Sequence, residues 1–195
     1  MNWPNRLSLL RVALIPVILL FLHIDTPVCQ GIALAVFILA ALTDFLDGYL
    51  ARRNRIVTNF GKFVDPVADK LLVLSTMIAL AGLGRFPAWA CVIVLFRELA
   101  VDGLRLVAME RSRVIAAGNL GKIKTALQMV TLVVYLLRNW PFGAFPMDVI
   151  LLVVTIIMTL WSGIDYFMRN LEVLHENSEF GMQNSECSDK RSVKP

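Results

Sequence analysis

Six apolar stretches, at residues 7–24, 31–50, 63–83, 87–109, 120–137 and 147–168, each approach the length needed to cross ~30 Å of hydrocarbon as a helix. A chain built this way has few ways to fold. Inside a bilayer no water satisfies backbone N–H and C=O groups, so each stretch has to close its hydrogen bonds internally. The sequence therefore predicts an all-α integral membrane protein, a bundle of six transmembrane helices. Composition agrees: the hydrophobic fraction is 57% and the mean hydropathy +0.69, against roughly 45–50% apolar content in soluble domains.

Basic residues give the bundle a direction. Arg6 and Arg11 lie at the start of the first stretch, and Arg52, Arg53, Arg55 and Lys62 between the second and third. Arg111, Arg113, Lys122 and Lys124 lie between the fourth and fifth, and Arg169, Lys190, Arg191 and Lys194 follow the sixth. The opposite loops carry only Arg85 and Arg138. An excess of Lys and Arg marks cytoplasmic loops, so both termini are expected inside, with Trp89 and Trp140 near the far interface. A cleaved signal peptide competes for the N-terminus, but the residues from His23 to Pro27 offer no small-residue cleavage site, and the first stretch is expected to stay. Residues 1–171 read as one membrane domain and 172–195 as a polar, mobile cytoplasmic tail. Cys29, Cys91 and Cys187 have neither disulfide-framework nor zinc-site spacing.

Carboxylates interrupt this apolar background. The run Asp44-Phe-Leu-Asp47-Gly48-Tyr-Leu-Ala51-Arg52 is followed by Gly61-Lys-Phe-Val-Asp65-Pro-Val-Ala-Asp69. On helices, Asp44, Gly48 and Ala51 share a stripe with Asp47 beside it, and Gly61, Asp65 and Asp69 recur every fourth residue along another. If the second helix meets the interface near Arg53, Asp44 lies about 13 Å below it at 1.5 Å per residue. The fourth stretch adds Arg97, Glu98, Asp102 and Arg105, with Glu98, Asp102 and Arg105 on one face. A charged group facing lipid costs about 2.5–3.5 kcal/mol on insertion scales, so these residues are expected to line a protein interior or hydrated cavity.

Two readings compete for them. A structural ion-pair network, Asp69 with Lys70 or Asp102 with Arg105, accounts for the fourth helix as well as a functional site does. It serves the four aspartates poorly, because one neighbouring lysine leaves uncompensated negative charge. Hard divalent cations with oxygen ligands remove that charge, and Asp44, Asp47, Asp65 and Asp69 are the predicted metal ligands. Gly48, Ala51 and Gly61 allow either close helix packing or the approach of a flat ligand. Arg105, Lys122 and Lys124, with Arg111 and Arg113, form a basic cluster able to hold an acceptor phosphate. Topology and contact with anionic headgroups explain Arg111 and Arg113 equally well.

The pattern Asp-x-x-Asp-Gly-x-x-Ala-Arg, eight residues, Gly-x-x-x-Asp-x-x-x-Asp is complete here, and it resembles the signature of the CDP-alcohol phosphatidyltransferases. That resemblance implies a six-helix homodimer that moves a phosphatidyl group from a CDP-linked donor to an alcohol and releases CMP. It implies two divalent ions, magnesium or manganese, held by Asp44, Asp47, Asp65 and Asp69, with Asp69 also the general base. Asp47, Gly48, Ala51, Arg52 and Gly61 would lie beside CDP-diacylglycerol. The opening from Pro4 to Pro16, the stretch from Arg97 to Arg105 and that from Gly121 to Met129 are similar to the bacterial branch that makes phosphatidylglycerophosphate. The expected acceptor is then sn-glycerol 3-phosphate, bound by Arg105, Lys122 and Lys124, and the expected location the bacterial inner membrane. Asp102 and Gly103 depart from the apolar or small residues expected there. Membrane lipid is an expected partner and nucleic acid is not. Three alternatives stay open: a cardiolipin synthase of the same family using phosphatidylglycerol, an ion-coupled transporter, and a non-catalytic scaffold clamped by metal.

Overall fold

Each apolar stretch forms one helix. The computed structural model describes residues 3–24, 26–54, 59–110, 118–138, 140–143 and 145–170, with side chains described for all of these except 3–8, 44–54, 59–66, 110 and 141. In chain order the helices are α1 (Trp3–Ile24), α2 (Pro27–Asn54), α3 (Asn59–Gly82), α4 (Ala88–Glu110), α5 (Asn119–Leu136) and α6 (Met147–Arg169), with a short 3-10 turn at Trp140–Phe142 before α6. The described residues contain no strand, as expected of an all-α chain.

Helix ends follow local chemistry. Helix α2 starts earlier than its apolar run because Thr26 caps it: the Thr26 hydroxyl accepts from Cys29 N–H at 3.2 Å, and its carbonyl from Gln30 N–H at 2.9 Å. Pro27 at the first helical position has no N–H to leave unsatisfied. Helix α3 ends at Gly82, and in the turn that follows Gly84 has a φ of 69°, easy only for glycine, as Arg85 N–H returns to Leu80 C=O at 2.9 Å.

Helix α1 packs along α2 and α3, α6 packs along α5 and α4, and α3 bridges the two groups by touching α4 and α5. The apolar core runs through Ile18, Leu22, Phe37, Leu72, Leu80 and Leu132. At the end holding the α3–α4 turn, Phe86 meets Tyr135 edge to face, with ring centroids 4.8 Å apart.

Large apolar side chains are exposed on the outside of the bundle, and polar side chains are buried beside its apolar core. Phe96 is 74% exposed, and Leu99, Leu106, Trp161 and Ile164 are also exposed, while Glu98, Lys124, Gln128, Thr131, Thr155, Thr159 and Ser162 are buried. Large apolar patches of this kind mark surfaces that meet another apolar phase. Among the described residues, Met147–Arg169 is the one helix long and apolar enough to cross a membrane by length and composition; Leu9–Ile24 and Pro27–Thr43 are shorter apolar stretches. Helix α4 falls short of that test because it carries Arg97, Glu98, Asp102 and Arg105.

Arg11, in the first half of α1, is buried at 2% exposure and engaged by its surroundings. The expected tail, 172–195, and the basic pair Arg111 and Arg113 lie outside the described residues.

Candidate active site

Polar side chains from four helices meet around one cavity of about 220 Å³. Helix α3 contributes Asp69 and Lys70, α4 contributes Arg97, Glu98 and Arg105, α5 contributes Lys122, Lys124 and Gln128, and α6 contributes Ser162, Asp165 and Tyr166.

Glu98 is the hub of the buried charge. Lys124 Nζ donates to its Oε1, Arg97 Nη1 donates to the same oxygen at 3.2 Å, and Lys70 Nζ lies 3.6 Å from Oε2. Lys70 also donates to Asp102. The side chains of Lys124 and Glu98 are only 4% and 10% exposed. Charges at that depth require one another, because losing either leaves the other buried and uncompensated. The α4 face expected from spacing is present, since Glu98 and Asp102 both reach Lys70.

One expected pairing is corrected. Asp102 takes Lys70, whereas Arg105, almost one turn further along α4, points to α6. Arg105 Nε donates to the Tyr166 hydroxyl at 3.1 Å, and its Cζ lies 5.4 Å from the Tyr166 ring centroid. Arg97 also reaches α6, donating from Nη2 to Ser162 Oγ. Gly163 makes room for it: a Cβ there would come 3.2 Å from Arg97 Cγ. Beyond the cavity the polar seam continues along α5 and α6, where the hydroxyls of Thr131 and Thr155 lie 2.7 Å apart.

Four residues singled out from sequence thus share this cavity: Asp69, Arg105, Lys122 and Lys124. Asp69 is half-buried, engaged by its surroundings, and within electrostatic reach of Lys124. Lys124 is buried against Glu98, and Lys122 is exposed at the cavity's edge.

Asp44, Asp47, Gly48, Ala51 and Arg52 lie on α2, and Gly61 and Asp65 on α3, but their side chains fall outside the described ones. Among the described residues no three His, Cys, Asp or Glu side chains gather as a metal site. The backbone does place Asp65 and Asp69 about one turn apart on α3, and Asp44 and Asp47 within one turn on α2. An all-carboxylate donor set suits a hard divalent cation.

Sequence reasoning did not identify Ser162, Asp165 and Tyr166. A signal was available, since polar residues at i, i+3 and i+4 within the most apolar stretch share one face and are costly unless they line an interior. Arg97 lines a cavity as expected of the charges on α4, but sequence reasoning did not assign Lys70 to it or foresee the partner of Arg97 on α6; partners 28 to 65 residues away in sequence leave no local trace.

Comparison with known proteins adds a second line of evidence. The family described as CDP-alcohol phosphatidyltransferase matches residues 1–161. A Bacillus subtilis protein named CDP-diacylglycerol–glycerol-3-phosphate 3-phosphatidyltransferase is 41% identical over 187 residues, covering 89% of this chain and 97% of its own length. A Rickettsia typhi protein of the same name is 37% identical over 169 residues, covering 85% of this chain and 95% of its own. Another of that name, from Cereibacter sphaeroides, is 38% identical over 143 residues, covering 70% of this chain and 65% of its own.

Proposed function

Because the chain belongs to the CDP-alcohol phosphatidyltransferase family, we propose that it transfers the phosphatidyl group of CDP-diacylglycerol to sn-glycerol 3-phosphate, giving phosphatidylglycerophosphate and CMP. The relatives' names motivate the substrates. The observation that supports the reading is the shared cavity, whose lining brings the carboxylate of Asp69 together with cations that include Arg105, Lys122 and Lys124. An acceptor that is an alcohol at one end and a phosphate at the other needs that pair of chemistries side by side.

The acceptor's phosphate sits against Arg105, Lys122 and Lys124, which leaves its free hydroxyl toward Asp69. An alcohol is a weak nucleophile until a base accepts its proton, and Asp69 takes that proton as the oxygen attacks. A bond forms from the acceptor oxygen to the lipid-side phosphorus, the bond from that phosphorus to the CMP oxygen breaks, and CMP leaves. Asp47, Gly48, Ala51, Arg52 and Gly61 line the donor's nucleotide. Asp44, Asp47, Asp65 and Asp69 would hold magnesium or manganese, in all two ions, and metal bound there would neutralise charge building on the pyrophosphate oxygens. The α4 and α5 cations hold the acceptor in line, so attack is effectively intramolecular.

The same reading has all six helices crossing the bacterial inner membrane as a homodimer, both termini and the cavity facing the cytoplasm. The exposed apolar side chains of α4 and α6 and the polar interior support that setting. A diacylglycerol donor then keeps its tails in lipid while its head enters the cavity.

Purified protein supplied with CDP-diacylglycerol and, separately, sn-glycerol 3-phosphate, glycerol and phosphatidylglycerol tests the proposal. Mass spectrometry should find phosphatidylglycerophosphate, with one CMP per lipid formed. Chelation should abolish the reaction, and added magnesium or manganese should restore it. Cardiolipin from phosphatidylglycerol would move the chain to the sister activity, and absence of CMP with every acceptor would end the enzymatic reading.

A further inference from the structure

The cations around the cavity differ in whether their charge is already cancelled. Lys124 and Arg97 bond to Glu98, and Lys70 bonds to Asp102. Asp165, also in the lining, bonds to Arg169 at 2.8 Å. Glu98, Asp102 and Asp165 are thus each turned to another cation, and Asp69 lies within electrostatic reach of Lys124. Arg105 is oriented instead by a neutral group, the Tyr166 hydroxyl, 3.1 Å from Nε.

That difference has a chemical consequence. A carboxylate that orients an arginine also cancels its charge and occupies the donors a phosphate would use. A phenol oxygen accepting from Nε leaves the full charge in place, and it leaves the outer edge of the planar guanidinium, the N–H groups of Nη1 and Nη2, for bidentate contact with phosphate. The ring adds attraction, with Cζ 5.4 Å from its centroid. Tyr166 can hold that position because its ring is buried among Val101, Leu104 and Ala108 of α4.

We infer that Tyr166 is a positioning residue for the acceptor: through its bond to Arg105 Nε it aims the guanidinium fork at the acceptor's phosphate. The inference rests on the proposed acceptor pocket and goes beyond it by naming the residue that orients the pocket's arginine.

Tyr166→Phe removes one oxygen and keeps the ring, so kcat and the donor's KM serve as internal gauges that the bundle is intact. The KM for sn-glycerol 3-phosphate should rise about tenfold, as expected for losing a hydrogen bond to a charged group, with kcat and the KM for CDP-diacylglycerol within about twofold of the parent. In an Arg105→Lys background, which has no Nε–H, the same substitution should change nothing further. An unchanged acceptor KM in Tyr166→Phe, an equal rise for both substrates, a fall in kcat alone, or a full tenfold rise persisting in Arg105→Lys would each overturn the positioning role. If Arg105→Lys raises the acceptor KM while Tyr166→Phe is silent, the pocket stands and Tyr166 is structural. If both are silent, the acceptor pocket itself is misplaced.

Discussion

The two ends of the α3–α6 group are built on opposite principles. At the end holding the α3–α4 turn, Leu80, Phe86, Val94, Leu132 and Leu152 fill the space between helices with apolar atoms, and Phe86 packs edge to face on Tyr135. At the cavity end the same helices contribute Asp69, Lys70, Glu98, Lys124 and Tyr166, and the space is an open cavity. The apolar end gains packing energy from every buried atom. The polar end gains little net stability, because desolvating each ion costs about as much as pairing it returns. The apolar end is thus the source of rigidity, and the polar end the place where that rigidity is used. Substitutions should separate the two.

The largest effect belongs to the polar end. Asp69→Asn should lower kcat by about a thousandfold or more, the scale of a lost general base, while thermal unfolding in detergent stays near the parent's. Near-normal turnover would remove Asp69 from the chemistry. Glu98→Gln comes next, and it links the ends: it leaves Lys124, Lys70 and Arg97 around a neutral amide. Breaking a buried pair in this way costs about 3–5 kcal/mol of stability, to be read as a lowered unfolding midpoint. A midpoint equal to the parent's would show that the cations find other partners and that Glu98 is not their hub.

How much of this was legible beforehand follows the same division. Helix placement was readable because apolar run length reports directly on helices, and the face shared by Glu98 and Asp102 was readable from spacing alone. Asp69 with Arg105, Lys122 and Lys124 was readable as candidates, since charges inside apolar stretches are costly. The pairing was not. That Lys70 serves Asp102 and Glu98, or that Arg105 turns to Tyr166, depends on how α3 and α6 pack against α4, and no periodicity encodes the rotation of one helix against another. Gly163 is the clearest case: its role is to admit the stem of Arg97 from another helix, which no local pattern reveals.

At the apolar end, Phe86→Ala should lower stability without touching chemistry. The ring is 5% exposed and packs against Tyr135, and truncation of a buried phenylalanine costs about 3–5 kcal/mol in water-soluble cores. The lower bound fits better here if lipid rather than water surrounds the bundle, because the transfer component of that cost then shrinks and the packing component stays. The unfolding midpoint should fall while kcat and both KM values, measured well below it, stay within about twofold, a margin below 1 kcal/mol. A change in acceptor KM would mean that the two ends are mechanically coupled.

The smallest effect lies on the seam between them. Thr131 and Thr155 share a hydroxyl contact of 2.7 Å, and Thr131 also donates to Leu127 C=O at 2.8 Å within its own helix. In the membrane setting proposed above, interhelical hydrogen bonds average about 0.6 kcal/mol, because a released hydroxyl turns back to a carbonyl of its own helix. Thr131→Val should therefore cost about that much, with no kinetic change. Adding Thr155→Val should cost little more, since removing both partners leaves no buried group unsatisfied. Additive losses in the double variant would mean that the two hydroxyls act separately, and that the polar character of the cavity end stops at Gln128 instead of running on between α5 and α6.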